Sequence, residues 1–172
     1  MSCYRAKPLS RNDIRQYVYY LKRLIGLERL YYFPIVRFVE NMLPLLIPDF
    51  FLEVAPISEM GNKHGETNPG KKKIRIREDV YLGAANGNGR DRLTVAHEVG
   101  HLLFHGDGSV VLCRLGPGET LKPYEDPEWQ ANAFGGELLA SSYLIKGMSV
   151  LEVQNKCGVS QLAAEVQLRS VR

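Results

Sequence analysis

The chain has 172 residues, a formal net charge of +3, 45% hydrophobic residues and 24% charged residues. This length suits one domain with a proper core, and the composition is that of a soluble globular protein. The mild positive charge does not by itself argue for a nucleic-acid partner. The apolar stretch from Leu43 to Val54 is interrupted by prolines and acidic residues, and the N-terminus lacks the apolar region of a signal peptide. We therefore expect a soluble, cytoplasmic protein that does not enter a membrane.

The three cysteines, Cys3, Cys113 and Cys157, are odd in number, far apart and without C-x-x-C spacing. This pattern predicts neither a disulfide framework nor a cysteine-based zinc site. We expect three reduced thiols.

Two amphipathic helices are predicted at the start of the chain. The first runs from about residue 11 to residue 26 with Ser10 as its N-cap, and the second runs from Pro34 to about Leu43. Apolar residues recur at helical spacing in both, which is typical of scaffold helices that cover a core.

Strand-like patterns follow at residues 50–57 and 74–77, on either side of a polar loop rich in Gly, Asn and Lys. Two strands separated by a turn-rich loop predict an antiparallel pair. Within the loop, Lys71 to Lys73 are interpreted as a solvated edge rather than a basic patch. His64 is interpreted as solvent-exposed, with a role near a substrate as the less favoured alternative.

Helical patterns dominate the second half of the chain. A helix is predicted from Arg90 to His105, then a short strand at residues 110–112 and an irregular loop at residues 116–127. Another helix is predicted from residue 126 or 127 to residue 140. The last residues, 150–172, predict two short helices, the second capped by Ser160.

The helix from Arg90 to His105 contains His97-Glu98-x-x-His101, the H-E-x-x-H pattern of zinc peptidases. On a helix the two histidines are one turn apart, so both imidazoles project from one face and can share a metal ion. Glu98 is rotated away from that face, where it can act as general base on a water.

A catalytic zinc usually takes three protein ligands and leaves one position for water. Asp107 has the spacing of a third ligand, but Phe104 stands where such a motif needs glycine for a sharp turn. His105 lies one further turn along the helix and fits better as a group behind a ligand, or as a cation at the helix end. The acidic pair at residues 125–126 fits a solvated loop or helix start. Glu128, on a separate helix, is favoured.

Asn132 lies one turn after Glu128 on the same face of the predicted helix. At this position it can accept a hydrogen bond from the second ring N–H of a ligand histidine. The alternative is an ordinary surface glutamate with a nearby asparagine.

Residues 89–105 (GRDRLTVAHEVGHLLFH) and 128–139 (EWQANAFGGELL) together resemble the ImmA/IrrE family of zinc metallopeptidase-like proteins. The family patterns are roughly R-D-R-F-T-x-A-H-E-x-G-H-x-x-x-H and E-x-x-A-N-x-F-A-x-x-L-L-M-P. The likeness covers about residues 50–145. The chain departs from the family at Leu93, which replaces Phe, at Gly135, which replaces Ala, and at Ala140-Ser141, where Met-Pro is common.

The resemblance implies that His97, His101 and Glu128 bind Zn²⁺ and that Glu98 is the catalytic base. It implies an α+β, zincin-like fold with a short, mainly antiparallel sheet and a metal-binding helix packed on a second, ligand-bearing helix. We expect a metallopeptidase-like domain at residues 1–145, with N-terminal scaffold helices and its core at residues 50–145. A small helical segment at residues 146–172 is similar to the family's winged-helix-like C-terminal segment.

The resemblance further implies a cytoplasmic endopeptidase that cleaves a partner protein, often a helix-turn-helix transcriptional repressor, or a toxin component beside an antitoxin-like repressor. Two alternatives stay open: a protein that sequesters such a repressor around a structural metal, and a DNA-binding regulator. For the latter, Arg169 and Arg172 are too few to establish a phosphate-binding face. Zinc suits two imidazoles and a carboxylate, although manganese stays open. The candidates for stabilising the oxyanion are, in descending order, His105, Tyr124 and Tyr143.

Overall fold

The computed structural model describes residues 2–106, 108–115 and 118–171. Strands and helices both occur in this part of the chain, as expected for an α+β fold. The strands are β1 (Ser2–Ala6), β2 (Phe51–Ala55), β3 (Gly65–Asn68), β4 (Lys73–Arg77) and β5 (Val110–Arg114).

The α-helices, in chain order, are α1 (Arg11–Leu24), α2 (Ile35–Arg37), α3 (Leu43–Leu46), α4 (Ile57–Met60), α5 (Glu78–Ala85), α6 (Gly89–Phe104), α7 (Pro127–Leu139), α8 (Ser142–Ile145), α9 (Val150–Cys157) and α10 (Gln161–Val171). A π-helical turn (Phe38–Met42) joins α2 to α3. The predicted N-caps are present: Ser10 accepts a hydrogen bond from the backbone N–H of Asp13, and Ser160 from that of Ala163. None of the described helices is both long and apolar enough to cross a membrane.

The central sheet has the strand order β2-β4-β3. Ile74 and Ile76 of β4 are fully buried, which confirms a strand with one buried face. The antiparallel pairing predicted for residues 50–57 and 74–77 is wrong, because β2 runs parallel to β4. The polar loop between them contains α4 and β3, and β3 is the strand that pairs with β4 in antiparallel fashion.

A second, two-stranded sheet joins the N-terminus to the segment after α6, where β1 runs antiparallel to β5. Cys3 lies opposite Cys113 in this pair and forms a disulfide with it, while Cys157 is free and buried. The expectation of three reduced thiols is therefore wrong for two of them. The two cysteines are 110 residues apart, and the pattern of the sequence did not predict β1 at all.

Helices α6 and α7 pack closely because small residues face the neighbouring helix. A Cβ atom on Gly100 would lie 3.0 Å from the Cα atom of Ala131, and one on Gly135 would lie 3.2 Å from the backbone nitrogen of His97. Such short separations leave little room for a side chain. The close approach brings the first two turns of α7 beside the histidines of α6.

Arg92, in the first half of α6, anchors this helix to the rest of the core. Its side chain is 1% exposed, donates to the carbonyls of Phe33, Cys157 and Gly158, and lies over the Tyr32 ring. A buried guanidinium requires such acceptors, because unpaired buried charge is costly. The second arginine of the R-D-R pattern thus has a structural role, and it holds the C-terminal segment against α6.

Candidate metal centre

Helix α6 places His97 and His101 one turn apart, with their Nε2 atoms 2.9 Å from each other. The helix begins at a regular cap, in which the Asn88 side chain accepts hydrogen bonds from the backbone N–H groups of Arg90 and Asp91. Both imidazoles are largely buried, at 18% and 17% side-chain exposure. The predicted geometry of the H-E-x-x-H pattern is therefore present.

Glu128 reaches the two histidines from the first turn of α7. Its Oε2 atom lies 3.3 Å from Nε2 of His97, and its Oε1 atom lies 3.3 Å from Nε2 of His101. The Asp126 side chain caps α7 by accepting a hydrogen bond from the backbone N–H of Glu128. This hydrogen bond fixes the position of the Glu128 backbone. Among the described residues, His97, His101 and Glu128 form one group able to hold a metal ion.

Among the described residues, the other candidates for the third ligand do not join this group. The expectation for Asp107 falls outside the described residues. His105 lies behind His101, with its Nδ1 atom 2.8 Å from Nδ1 of His101. Asp126 serves as the cap of α7.

The second ring nitrogen of each histidine in the group also has a partner. Nδ1 of His97 lies 3.0 Å from Oδ1 of Asn132, the hydrogen bond predicted from the spacing of Glu128 and Asn132. Nδ1 of His101 faces His105. These contacts turn both Nε2 atoms towards the carboxylate of Glu128.

This donor set fits zinc. If each Nδ1 carries the ring proton, two Nε2 lone pairs and a carboxylate face one another, an arrangement that favours a cation between them. Ligand atoms 2.0–2.1 Å from a tetrahedral zinc are roughly 3.3 Å apart, which is close to the separations of 2.9 Å and 3.3 Å between these atoms. The three atoms therefore resemble one face of a zinc coordination tetrahedron.

The charge of Glu128 depends on the two histidines. The contacts with His101 and His97 hold the pKa of Glu128 far below its usual range, against the opposing effect of burial. Burial lowers the pKa of His97, but the contact with Glu128 and the charge of Glu98 outweigh it, so this pKa is raised. Glu128 thus stays ionised, as a metal ligand must.

Glu98 lies beside the group and is only 7% exposed. Its Oε2 atom accepts a 2.6 Å hydrogen bond from the Thr67 hydroxyl, which comes from strand β3. A Cβ atom on Gly65 would lie 2.8 Å from Cγ of Glu98, so the strand packs directly on this side chain. Burial raises the pKa of Glu98, against the hydrogen bond from Thr67, and a carboxylate with a raised pKa is a better base near neutral pH.

Two clefts flank the group, and different residues of the segment 64–69, which contains β3, line each of them. One cleft, of about 420 Å³, is lined by Thr67, Pro69 and Glu128 together with Tyr4, Val110 and Leu121. The other, of about 360 Å³, is lined by His64, Gly65, His97 and Glu98 among others. Strand β3 is at the edge of its sheet, and the β3 region contributes residues to both clefts. The two clefts, on either side of the His97–His101–Glu128 group, are together called the groove.

The expected oxyanion-stabilising residues are not placed for that role. Both ring nitrogens of His105 have partners, and the Tyr143 hydroxyl donates to the backbone carbonyl of Glu28. Tyr124 is not among the residues that line the two clefts. His64, which was interpreted as solvent-exposed, is half-buried and lines the cleft that contains Glu98. The sequence held no signal for this position, because the short strand that follows His64 has too weak a pattern to be predicted.

Two histidines one turn apart, a glutamate from a second helix and a buried glutamate beside them are the combination found in metallopeptidases. Residues 52–165 match the family model described as the IrrE N-terminal-like domain, Peptidase M78. The chain belongs to this family, and its domain is metallopeptidase-like. A search of curated proteins found no match.

Proposed function

We propose that the protein is a cytoplasmic, zinc-dependent endopeptidase that hydrolyses a peptide bond in a partner protein. His97, His101 and Glu128 would hold the zinc ion, and Glu98 would act as general base. The observation that carries the proposal is the convergence of three ligand atoms, each within 4.8 Å of the others, beside a buried carboxylate. Membership of the Peptidase M78 family supports the same activity.

The number of ligands favours a catalytic metal over a structural one. Structural zinc sites usually have four protein ligands, whereas catalytic sites have three and keep one position open. Three groups converge among the described residues, and the Glu128 side chain is 68% exposed on the side of the groove. A substrate carbonyl can therefore approach from the groove.

The free edge of β3 suggests how the substrate is held. An extended peptide can add to an exposed strand through backbone hydrogen bonds, which orders it without a strong requirement for particular side chains. The two clefts lie on either side of the metal group and take the neighbouring side chains of such a peptide. The cleft that includes Tyr4, Val110 and Leu121 is suited to an apolar side chain.

Glu98 performs the proton transfers in this proposal. Zinc, when bound, supplies Lewis acidity, which polarises the scissile carbonyl and makes the attacking water more acidic. Glu98 takes the proton of that water and passes it to the leaving amine. Thr67 holds Oε2 of Glu98 in place, and burial keeps the pKa of this carboxyl above its usual value.

The proposed substrate is a helix-turn-helix transcriptional repressor, supported by the resemblance to the ImmA/IrrE family. The test incubates the zinc-loaded protein with helix-turn-helix proteins encoded near its gene and analyses fragments by mass spectrometry. We expect cleavage by the wild type and none by Glu98→Gln, which should keep its zinc. The control is Glu66→Gln on the neighbouring strand β3, because Glu66 bonds Lys63 and Arg75 instead of facing the metal group.

Two results would overturn the proposal. Cleavage by Glu98→Gln at the wild-type rate would remove the general base from the mechanism. A stable complex of the zinc-loaded protein with intact repressor, unaffected by Glu98→Gln, would instead support the alternative that the protein sequesters its partner.

A further inference from the structure

Gln130, in the second turn of α7, is fully buried and contacts three separate parts of the chain. Its Nε2 atom donates to the backbone carbonyls of Lys7, at 2.7 Å, and Tyr124, at 2.8 Å. Its Oε1 atom lies 3.0 Å from Nε2 of His105. Both the nitrogen and the oxygen of this amide therefore have hydrogen-bond partners, and these partners define its orientation.

The two carbonyls determine which way the amide faces. If the amide were reversed, its oxygen would face the carbonyl oxygens of Lys7 and Tyr124, and three acceptors would meet in a buried place. Buried acceptors without donors are costly, so the orientation with Nε2 towards the carbonyls is strongly preferred. Oε1 must then accept a hydrogen bond, and Nε2 of His105 is the donor.

The state of His105 follows from this contact. A neutral imidazole carries one proton, so a proton on Nε2 of His105 leaves Nδ1 as an acceptor. That Nδ1 lies 2.8 Å from Nδ1 of His101, which must supply the proton of their hydrogen bond. Nε2 of His101 is then free of a proton and has its lone pair directed at Nε2 of His97 and the carboxylate of Glu128.

We propose that Gln130 is a positioning residue that selects the metal-binding tautomer of His101, acting through His105. The opposite arrangement, in which His105 donates to His101 from Nδ1, would place the proton of His101 on Nε2 and block metal binding there. Gln130 excludes this arrangement because it accepts the Nε2 proton of His105. This relay rests on the proposed function, and Gln130 supports the metal group without touching metal or substrate.

This relay differs from the arrangement at His97. Oδ1 of Asn132 accepts directly from Nδ1 of His97, so no second histidine intervenes and no tautomer has to be selected. His105 is ambiguous by itself, because either of its nitrogens can donate. Gln130 is required at His101 for this reason, and the relay connects the metal group to the backbone of the N-terminal segment at Lys7.

The first measurement is the tautomer itself, in metal-free protein at a pH where the imidazoles are neutral. Imidazole ¹⁵N chemical shifts should give the Nδ1–H form for His101 and the Nε2–H form for His105 in the wild type. In Gln130→Met, which has a similar size but no acceptor oxygen, we expect a mixture of tautomers at both histidines. The matched control is Gln167→Met, since Gln167 is also buried but donates to Glu137.

The second measurement is zinc affinity, from competition with a chelator. Loss of a group that orients a ligand histidine typically weakens metal binding about 10- to 100-fold, and we expect this loss for Gln130→Met but not for Gln167→Met. His105→Asp provides a rescue background, because a carboxylate can only accept and therefore accepts from Nδ1 of His101 whatever stands at position 130. Adding Gln130→Met to His105→Asp should therefore cause no further loss.

The outcomes separate this inference from the proposed function. An unchanged tautomer distribution in folded Gln130→Met, or an equal loss of zinc affinity in the His105→Asp background, would overturn the relay. Because the tautomers are measured without metal or substrate, the relay can hold even where peptide cleavage is not observed. Conversely, cleavage that depends on Glu98 can hold where the relay fails.

Discussion

Lys22 of α1 is a buried amine whose ionisation should make the stability of the protein depend on pH. Its side chain is fully buried, donates a 2.7 Å hydrogen bond to the Ser141 hydroxyl and lies over the Phe33 ring. Burial lowers its pKa from 10.5 to about 8, against the opposing charges of Glu137 and Cys157. Ser141 belongs to the Ala140-Ser141 pair at which the chain departs from the family pattern.

The sign of the effect follows from proton binding. Between pH 8 and pH 10.5 the unfolded chain holds the Lys22 proton more tightly than the folded protein, so stability rises with pH across this window. At about 1.36 kcal/mol for each pKa unit, the penalty in the folded state at neutral pH is roughly 3 kcal/mol. Lys22→Met removes this penalty and also a hydrogen bond worth about 1 kcal/mol.

We therefore expect Lys22→Met to be more stable than the wild type by roughly 2 kcal/mol at pH 7, an advantage that disappears towards pH 10.5. The assay is urea denaturation over this pH range, with the difference between the two proteins plotted against pH. Lys63→Met is the control, because the Lys63 side chain is 67% exposed. A difference for Lys22→Met that does not change with pH, or that matches the difference for Lys63→Met, would refute the reasoning.

Three further predictions concern the groove and the disulfide. Gly65→Ala should lower kcat about 100-fold or more with zinc content unchanged, because its Cβ would displace Glu98 and general-base catalysis has this magnitude. Gly106→Ala, whose Cβ meets no described atom within 4 Å, should retain activity, and a fully active Gly65→Ala would contradict the proposed position of the base. His64→Ala should reduce kcat without loss of zinc, because His64 lines the cleft that contains Glu98 and can donate to a developing oxyanion, and an unchanged kcat would remove it from the mechanism. Cys3→Ser should lower the free energy of unfolding by about 2–4 kcal/mol under oxidising conditions. A reductant should have a similar effect on the wild type and none on the variant. Equal urea midpoints for all samples would show that the Cys3–Cys113 bond does not form.

The sequence predicted those parts of the site that depend on spacing within one helix. His97 and His101 are four residues apart on α6, and Glu128 and Asn132 are four residues apart on α7, so the regular helix brings each pair to one face. The structure confirms this placement within each helix, and the packing of α6 on α7 adds the contacts of Glu128 with both histidines and of Asn132 with His97. The metal-binding roles of His97, His101 and Glu128 stay predictions until zinc is measured.

The arrangement of the strands could not be predicted in the same way, because pairing joins segments that are distant in the sequence. Strand β3, with only four residues in a loop rich in Gly and Asn, has too weak a pattern to be recognised. Without β3, the two stronger strands look like a hairpin. For the same reason Thr67 could not be recognised as the hydrogen-bond partner of Glu98. Thr67 nevertheless belongs to the groove and holds the proposed general base in place.

The role of Gln130 was hidden for a different reason. Two of its three partners are backbone carbonyls, at Lys7 and Tyr124, and a backbone acceptor imposes no requirement on the side chain of its residue. The residues that hold the amide therefore leave no pattern of their own, and Lys7 lies outside the region that matches the family model. The first residues of the chain can thus support the metal group through their path alone. In the proposed relay, the backbone carbonyl of Lys7, in a part of the chain with a weak sequence signal, helps to orient His101.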